Sequence, residues 1–547
     1  MPASCDAVVV GAGHNGLVAA NMLADAGWDV VVVEACTEPG GAVRSANVTA
    51  PGYRVDLFSA FYPMTAVSPV MKALHLEEHG LNWLHAPTVL AHVLPDRPGP
   101  VLYRDAERTA AAMNAEQPGD GEAWMRLHHQ WERIGEPLIA ALLGPFPPVR
   151  ATADLVRSAK GELWDLARRA ILPVRTFASE EFSGTFGPLL LAGNALHADV
   201  APEMAPSALL GWLLVGLGQT VGFPVPQGGS GRMTDALVGR MSAAGAELRL
   251  ATPVERIDVI DGRAVGVRTP NGSIRARRAV LAACDAQLLY GSLLDDHHLP
   301  PAFLARLGQF HRADATVKVN YALSSPVPWT DEQANSAGTV HLADSVDELT
   351  VSAAQIAAGQ IPARPFLLVG QMTTADPTRS PPGTESLWTY THIPQNVRGD
   401  AADQIRTTGR LEAVALEAFV ERIEDRLEAR APGFRDRVVA RHVQGPGDLE
   451  RENPSLIGGD IGGGTSQLHQ QLIFRPVPGL ARPSTPIDGL FLASASAHPG
   501  GSVHGACGAN AAKAALTHDR MAHARRLVPA AALAGLAGAA VARLRRR

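Results

Sequence analysis

Two short runs near the start of the chain are apolar without a break. Residues 7–10 read AVVV, and in residues 29–33 four valines follow Asp29. β-Branched residues with no polar alternation predict strands buried on both faces. Between them, residues 17–26 carry apolar positions at helical spacing and stop at Gly27, which predicts a helix. From 102 to 224 the pattern is mostly helical, with proline-rich breaks such as GPFPPV. Trp124, Trp131 and Trp164 fall in this region and are expected in its core. Residues 204–231 hold no charged side chain. Glycines, prolines, Gln219 and Thr220 interrupt that stretch, so it predicts a buried helix walling an apolar cavity, or else one touching a bilayer face, rather than a membrane span.

The period changes at 245–284, where apolar and polar residues alternate. Asp261-Gly262 and Asn271-Gly272 mark tight turns, so the segment predicts a meander of strands, the last over 277–284. Residues 316–323, 366–372 and 386–392 are strand-like, and 411–429 form a charged amphipathic helix. Near the end, 490–493 predict a strand, followed by a loop and an alanine-rich helix from about His504.

The 547 residues suffice for two or three domains of buried core. The net charge of −6 gives no general basic footprint for nucleic acid. Cys5, Cys36, Cys284 and Cys507 are scattered and form no C-x-x-C pair, so neither dithiol chemistry nor a metal site is expected. Reduced thiols in a cytoplasmic protein fit this usage. The first strand begins almost at once, without the charged and apolar regions of a secretory signal.

Chemistry enters with the turn after the first strand. Gly11, Gly13 and Gly16 spell G-x-G-x-x-G between a strand and a helix, and Glu34 ends the second strand. Such a βαβ unit binds a dinucleotide. The first glycine makes the turn, the second admits the pyrophosphate, and the third lets helix and strand pack closely. The acid is placed to accept ribose hydroxyls. Gly40 and Gly41 follow, then Arg44 and Ser45. A second glycine loop near the pyrophosphate, with Arg44 to neutralise it, favours FAD over NAD.

With GAGHNGLVAA followed by PGGAVRS, the chain resembles the flavoprotein superfamily of amine oxidases and phytoene desaturases. It looks most like the phytoene desaturase-like branch, which includes proteins named for a pyridine nucleotide-disulfide oxidoreductase domain. The resemblance implies an α/β fold: a Rossmann-like FAD-binding domain assembled from discontinuous segments, with an α+β substrate domain. The implied FAD segments are 1–101, 225–290 and 445–516, the substrate-domain segments are 102–224 and 291–444, and a C-terminal helix covers 517–547. A strand over 252–257 would bring Val254 to the adenine. The sequence HPGGSVHGAC then matches the last FAD motif, where Pro499, Gly500 and Gly501 would pass beside the flavin ring and the next helix would point its N-terminus at the ring. Ser494, Ser496 and Ser502 depart from the glycines common there. His498 and His504 are the loop's groups expected to titrate near neutral pH, and so are candidates for acid–base catalysis.

The implied activity is an FAD-dependent oxidation or isomerisation of an apolar, isoprenoid-like or acyl substrate, with hydride passing to the flavin. Oxygen or a quinone would accept the electrons, since no second nucleotide motif is present. Two alternatives stay open. One is an amine oxidase, against which counts the lack of any Trp or Tyr after Tyr390. The other is a flavin-bound interaction protein with little turnover. The apolar run 527–542, closed by arginines on both sides, is expected to anchor the protein to anionic membrane surfaces.

Overall fold

The computed structural model describes residues 3–411 and 413–527. The apolar run proposed as an anchor, apart from its first residue, lies outside the described residues.

Two seven-stranded sheets organise the chain. In the first, Leu490–Leu492, Gly272–Ala282, Ala3–Val10, Val30–Val33 and Glu247–Arg249 lie side by side and parallel. The meander Arg256–Ile260 and Arg263–Thr269 is antiparallel and joins the early part of Gly272–Ala282. The unbroken apolar runs have a simple cause. Ala7, Val9, Val30 and Val32 face one core, shared with the helix His14–Asp25 and the terminal helix Ala506–Leu527. Val8, Val10, Val31 and Val33 face another, shared with Tyr290 and Phe303. Both faces are covered, so no position at 7–10 or 30–33 is polar.

The second sheet runs in the order Val438–Gln444, Ala315–Leu323, Glu385–Ile393, Leu367–Gln371, Ala337–Leu342, Thr88–His92, Val101–Leu102. One face packs on the helices of residues 106–220. The other packs on the helix Ala413–Arg430. Since Thr88–His92 belongs here, the chain has left the first sheet before residue 102.

Several expectations need correction. The first helix starts at His14, so Gly16 lies inside it. The meander's first strand starts at Arg256, because Ala251 and Thr252 instead donate their N–H groups to Cys36 O and Glu34 O. The terminal helix starts at Ala506, after Gly505 at φ +69°. Trp124 and Trp131 are buried, but Trp164 is 82% exposed. The uncharged stretch forms the helix Ser207–Thr220, whose glycines admit close neighbours: a Cβ on Gly216 would lie 2.4 Å from the Trp131 ring. It fills its surroundings, leaving about 10 Å³ beside Trp124, Trp131 and Trp212. Among the described residues no helix is long and apolar enough to cross a membrane.

Candidate functional site

The glycine turn is shaped by what touches it. Gly11 has φ +99° and packs on Ala283. A Cβ on Gly16 would fall 2.0 Å from Gly11 O, so only glycine lets this helix leave this strand so closely. Gly40 donates its N–H to Ala12 O at 2.8 Å, and a Cβ on Gly41 would lie 3.0 Å from Gly13 Cα. The two glycine loops therefore run against each other with no side chain between them. Glu34 spans the same spot. Its carboxylate accepts from Ala12 N (2.7 Å) and Cys36 N (2.9 Å). Val254 is half-buried, two residues past the segment bonded to Glu34 and Cys36.

The last motif meets this cradle from the other side. Gly508 donates its N–H to Asn15 Oδ1, and a Cβ there would lie 1.9 Å from Asn15 O. The N-termini of the first and last helices thus converge. The positive ends of the two helix dipoles favour an anion or a group that becomes negative. A bare glycine cradle, two helix N-termini and the Glu34 carboxylate suit a dinucleotide with a pyrophosphate and a ring that gains charge. His14 Nε2 is buried at this point without a hydrogen-bond partner.

Each remaining predicted residue has a definite place. Arg44 donates to Gly41 O (3.1 Å) and Glu452 O (2.7 Å) and stands over the Phe58 ring. Ser45 turns away: its hydroxyl bonds to Asp56 Oδ1 at 2.7 Å and accepts from Gly231 N. Gly500 has φ +109° and lies against Gln471 and Arg475. Gly501 backs onto Gly462, whose carbonyl a Cβ would meet at 2.7 Å. Protein backbone on that side, then, already excludes a side chain at Gly501. Pro499 links this pair to His498, whose Nε2 bonds to Gly144 O at 3.1 Å.

Both histidines lie below the usual imidazole range. Burial pushes the His504 imidazole down to about 3, helped by nearby His14, itself pushed to about 4 by burial. His504 Nδ1 accepts from Ala506 N at 3.0 Å and so holds the helix start. Burial also lowers His498. Cys507 is a neutral thiol, raised to about 11 by burial, with Sγ toward Ala497 O and Gly500 O.

Much of the site was not read from the sequence. Arg475 is 1% exposed and donates to Ala495 O, Thr465 O and Gly463 O at 2.7–2.9 Å. Beside it Arg312 makes a two-pronged pair with Asp285 (2.6 and 2.8 Å), which also accepts from Ser496. These buried charges brace the loops under Gly500 and Gly501. A signal was available in the glycine run GGDIGGGT at 458–465. Lys318 is a second omission. This lone cation in an otherwise uncharged strand, ATVKVNYAL, donates to Asp56 O and Phe58 O, both at 2.6 Å, and faces the Trp388 ring. Asp56 pairs with Arg379 at 2.8 Å, and both are fully buried. Burial opposes the Asp56 charge, but Arg379, Ser45 and Ser230 hold the carboxyl below its usual range.

Burial pushes the Lys318 ammonium down to about 7. Between that value and the ordinary lysine range the unfolded chain binds a proton the folded chain lacks, so stability rises with pH there. We expect the thermal midpoint to rise between pH 7 and 10 by more in the wild type than in Lys318→Met. Equal slopes would place the Lys318 proton elsewhere.

Along the strand Glu385–Ile393, Trp388 and Tyr390 stack at 5.7 Å, and His392 follows on the same face. His392 pairs with Asp199 at 2.9 Å beside a cavity of about 130 Å³ that Asp314, Leu196, Met204, Ile356 and Phe366 also line. Burial works against protonation of His392, but Asp199 and Asp314 outweigh it and its pKa is raised. Asp314 lines the same cavity as an exposed side chain, and the protein packed near it raises its carboxyl to about 6.

A discontinuous Rossmann-like sheet, a double glycine cradle and a second sheet closing over it define a dinucleotide-dependent oxidoreductase. The sequence profile of the flavin containing amine oxidoreductase family matches residues 16–392, and the chain belongs to that family. It is an FAD-dependent oxidoreductase. It is 28% identical to pyridine nucleotide-disulfide oxidoreductase domain-containing protein 2 of Mus musculus, over 93% of this chain and 92% of that one. It is 23% identical to the neurosporene-forming phytoene desaturase of Rhodobacter capsulatus, over 94% of each. Among solved structures it is similar to an oxidoreductase from Methanosarcina mazei, with TM-score 0.60, 16% identity, and 93% and 99% of the two chains covered.

Proposed function

We propose that this protein desaturates or isomerises an apolar small molecule, isoprenoid-like or acyl, bound between the glycine cradle and the second sheet. The observation that carries the reading is the wall there. Phe61, Trp388 and Tyr390 form a contiguous aromatic cluster, ring centroids 5.7–6.0 Å apart, in which Trp388 is part of a large apolar core and Phe61 and Tyr390 are partly exposed at its edge. Lys318 is the cation at this wall, and two backbone carbonyls already hold it. Similarity to a phytoene desaturase, named for an apolar polyene, supports the same reading.

Gly11, Gly13, Gly16, Gly40 and Gly41 would hold the FAD pyrophosphate, Glu34 the ribose, and the loop at Pro499–Gly501 the ring. When bound, FAD supplies a two-electron acceptor for hydride. The chain's own part is to orient substrate on the aromatic wall, exclude water, and offer helix N-termini to developing negative charge. Lys318, with a pKa near neutrality, is placed to hold or release a proton at Nζ. Oxygen or a quinone would remove the electrons.

A second reading has a specific observation behind it. The cavity at His392 holds two carboxylates, Asp199 and Asp314, to one imidazole, which suits an ammonium head group. Turnover with alkenes, acyl compounds and alkylamines, in the presence of oxygen or a soluble quinone, separates the two. The first reading predicts a product two hydrogens lighter, or an isomer, from an apolar compound. Turnover of amines alone would replace it with the second.

A further inference from the structure

Away from the glycine cradle, the sequence LLDDHHLP at 293–300 connects the helices Ala286–Gly291 and Pro301–Leu307. Three metal-ligating side chains come together there: Asp295, His297 and His298. Each offers one ligand atom, and the three atoms all lie within 4.8 Å of one another. No other such trio occurs among the described residues. The tight turn Asp296–His298 brings the two imidazole rings to 3.9 Å between centroids, and His297 Nδ1 stands 3.9 Å from Asp295 Oδ2.

The turn is fixed at both ends. Leu294 and Leu299 are 5 and 4% exposed and pack with Tyr290 and Phe303 in one core. Ile257 donates its N–H to Leu293 O at 2.8 Å, which ties the chain to the first sheet just before the cluster. Within the turn His298 donates its N–H to Asp295 O at 3.0 Å. Between the two buried leucines, Asp295 and His298 are half-buried and His297 is exposed. Ligands carried on a rigid base lose little freedom when an ion gathers them.

The donor set selects the ion. Two imidazoles and one carboxylate suit a first-row divalent ion of the zinc type, whereas magnesium and calcium prefer oxygen ligands throughout. Around an ion about 2.0–2.1 Å from each, ligand atoms stand about 3.3 Å apart, so the cluster has to close by about 1.5 Å at most. Arg256 also pairs with the Asp295 carboxylate and would share it with an ion. Asp296 follows directly, so two carboxylates face this one cation and the turn keeps a net negative charge.

We propose that Asp295, His297 and His298 form a binding site for a divalent transition ion of the zinc class. None of the three belongs to the cradle or to the aromatic wall, so the site stands apart from the redox reading above, and flavin content does not depend on it.

The test uses the full-length holoenzyme, stripped by a chelator and dialysed, with the zinc ion alone as probe and binding read by competition against a chromophoric chelator. One zinc ion should bind per chain, and a large excess of magnesium or calcium should not displace it. The double variant H297Q/H298Q should bind about tenfold or more weakly at unchanged flavin content, and Asp295→Asn should also bind more weakly. Asp296→Asn lies outside the trio and should stay within about threefold of the wild type. With the cupric ion as a second probe, electron paramagnetic resonance should show coupling to two imidazole nitrogens in the wild type and to one in His297→Gln. Zinc binding by H297Q/H298Q at wild-type strength would overturn the proposal, and so would displacement of zinc by magnesium. Loss of binding in His469→Asn would overturn it as well, since the exposed pair His311 and His469, with ring nitrogens 3.1 Å apart, would then be the site.

Discussion

Arg475→Met should release most of the flavin and cost about 3–5 kcal/mol of stability, the usual effect of breaking a buried charge network by removing one member. The guanidinium is all but inaccessible and ties the carbonyls of Gly463, Thr465 and Ala495 into one unit. Methionine fills similar volume but donates nothing, so three buried acceptors lose their partner. Asp460 loses a neighbouring cation as well. Burial raises its carboxyl, while Arg312, two backbone N–H groups and Arg475 work the other way. The loops under Gly500 and Gly501 then have no fixed spacing. Lysine offers three donors on one point rather than a planar fork, so Arg475→Lys should recover little. Flavin absorbance per chain and denaturant unfolding of the two variants check this. Full flavin content in Arg475→Met would mean that the loop is held without the guanidinium.

Gly16→Val should yield protein with less than about a tenth of the wild-type flavin, since a close helix–strand junction tolerates no side chain. The obstacle is fixed backbone: the new Cβ would stand 2.0 Å from Gly11 O and 3.0 Å from Ala283 Cβ. Relief requires the first helix to move off the sheet, which also pulls Asn15 from Gly508 and opens the gap between the two helix N-termini. Gly239→Ala is the control. That glycine lies inside the helix Gly231–Ala243 with nothing near its Cβ position, so the change should leave flavin content intact. A flavin-replete Gly16→Val would contradict the cradle's geometry.

The fold was legible where pattern and packing coincide. The runs at 7–10 and 30–33 are apolar because both faces of the sheet are covered; they lie in strands, the second starting at Val30, one residue after the expected Asp29. The strand-like stretches at 316–323 and 386–392 form Ala315–Leu323 and Glu385–Ile393 for the same reason. Family and cofactor followed from the first fifty residues. Errors arose where a local rule met a tertiary contact. Trp164 sits on an apolar periodicity, yet its helix faces solvent there. Ser45 follows a glycine pair, yet Asp56 takes its hydroxyl. His498 and His504 are ordinary imidazoles in a string of letters, and it is chiefly their burial in the fold that lowers them. Lys318, Arg475, Asp285 and Arg312 come from three distant stretches of chain, so no spacing rule joins them.

The central claim is that an apolar compound delivers electrons to flavin in this cradle. Anaerobic mixing of the holoenzyme with single apolar and amine compounds, followed at the flavin absorption band, tests it most directly. The account predicts bleaching by at least one apolar alkene or acyl compound, return of the band on admitting oxygen or a quinone, and no bleaching by alkylamines. Bleaching by amines alone, or neither bleaching nor an isomerised product with any apolar compound, would contradict it.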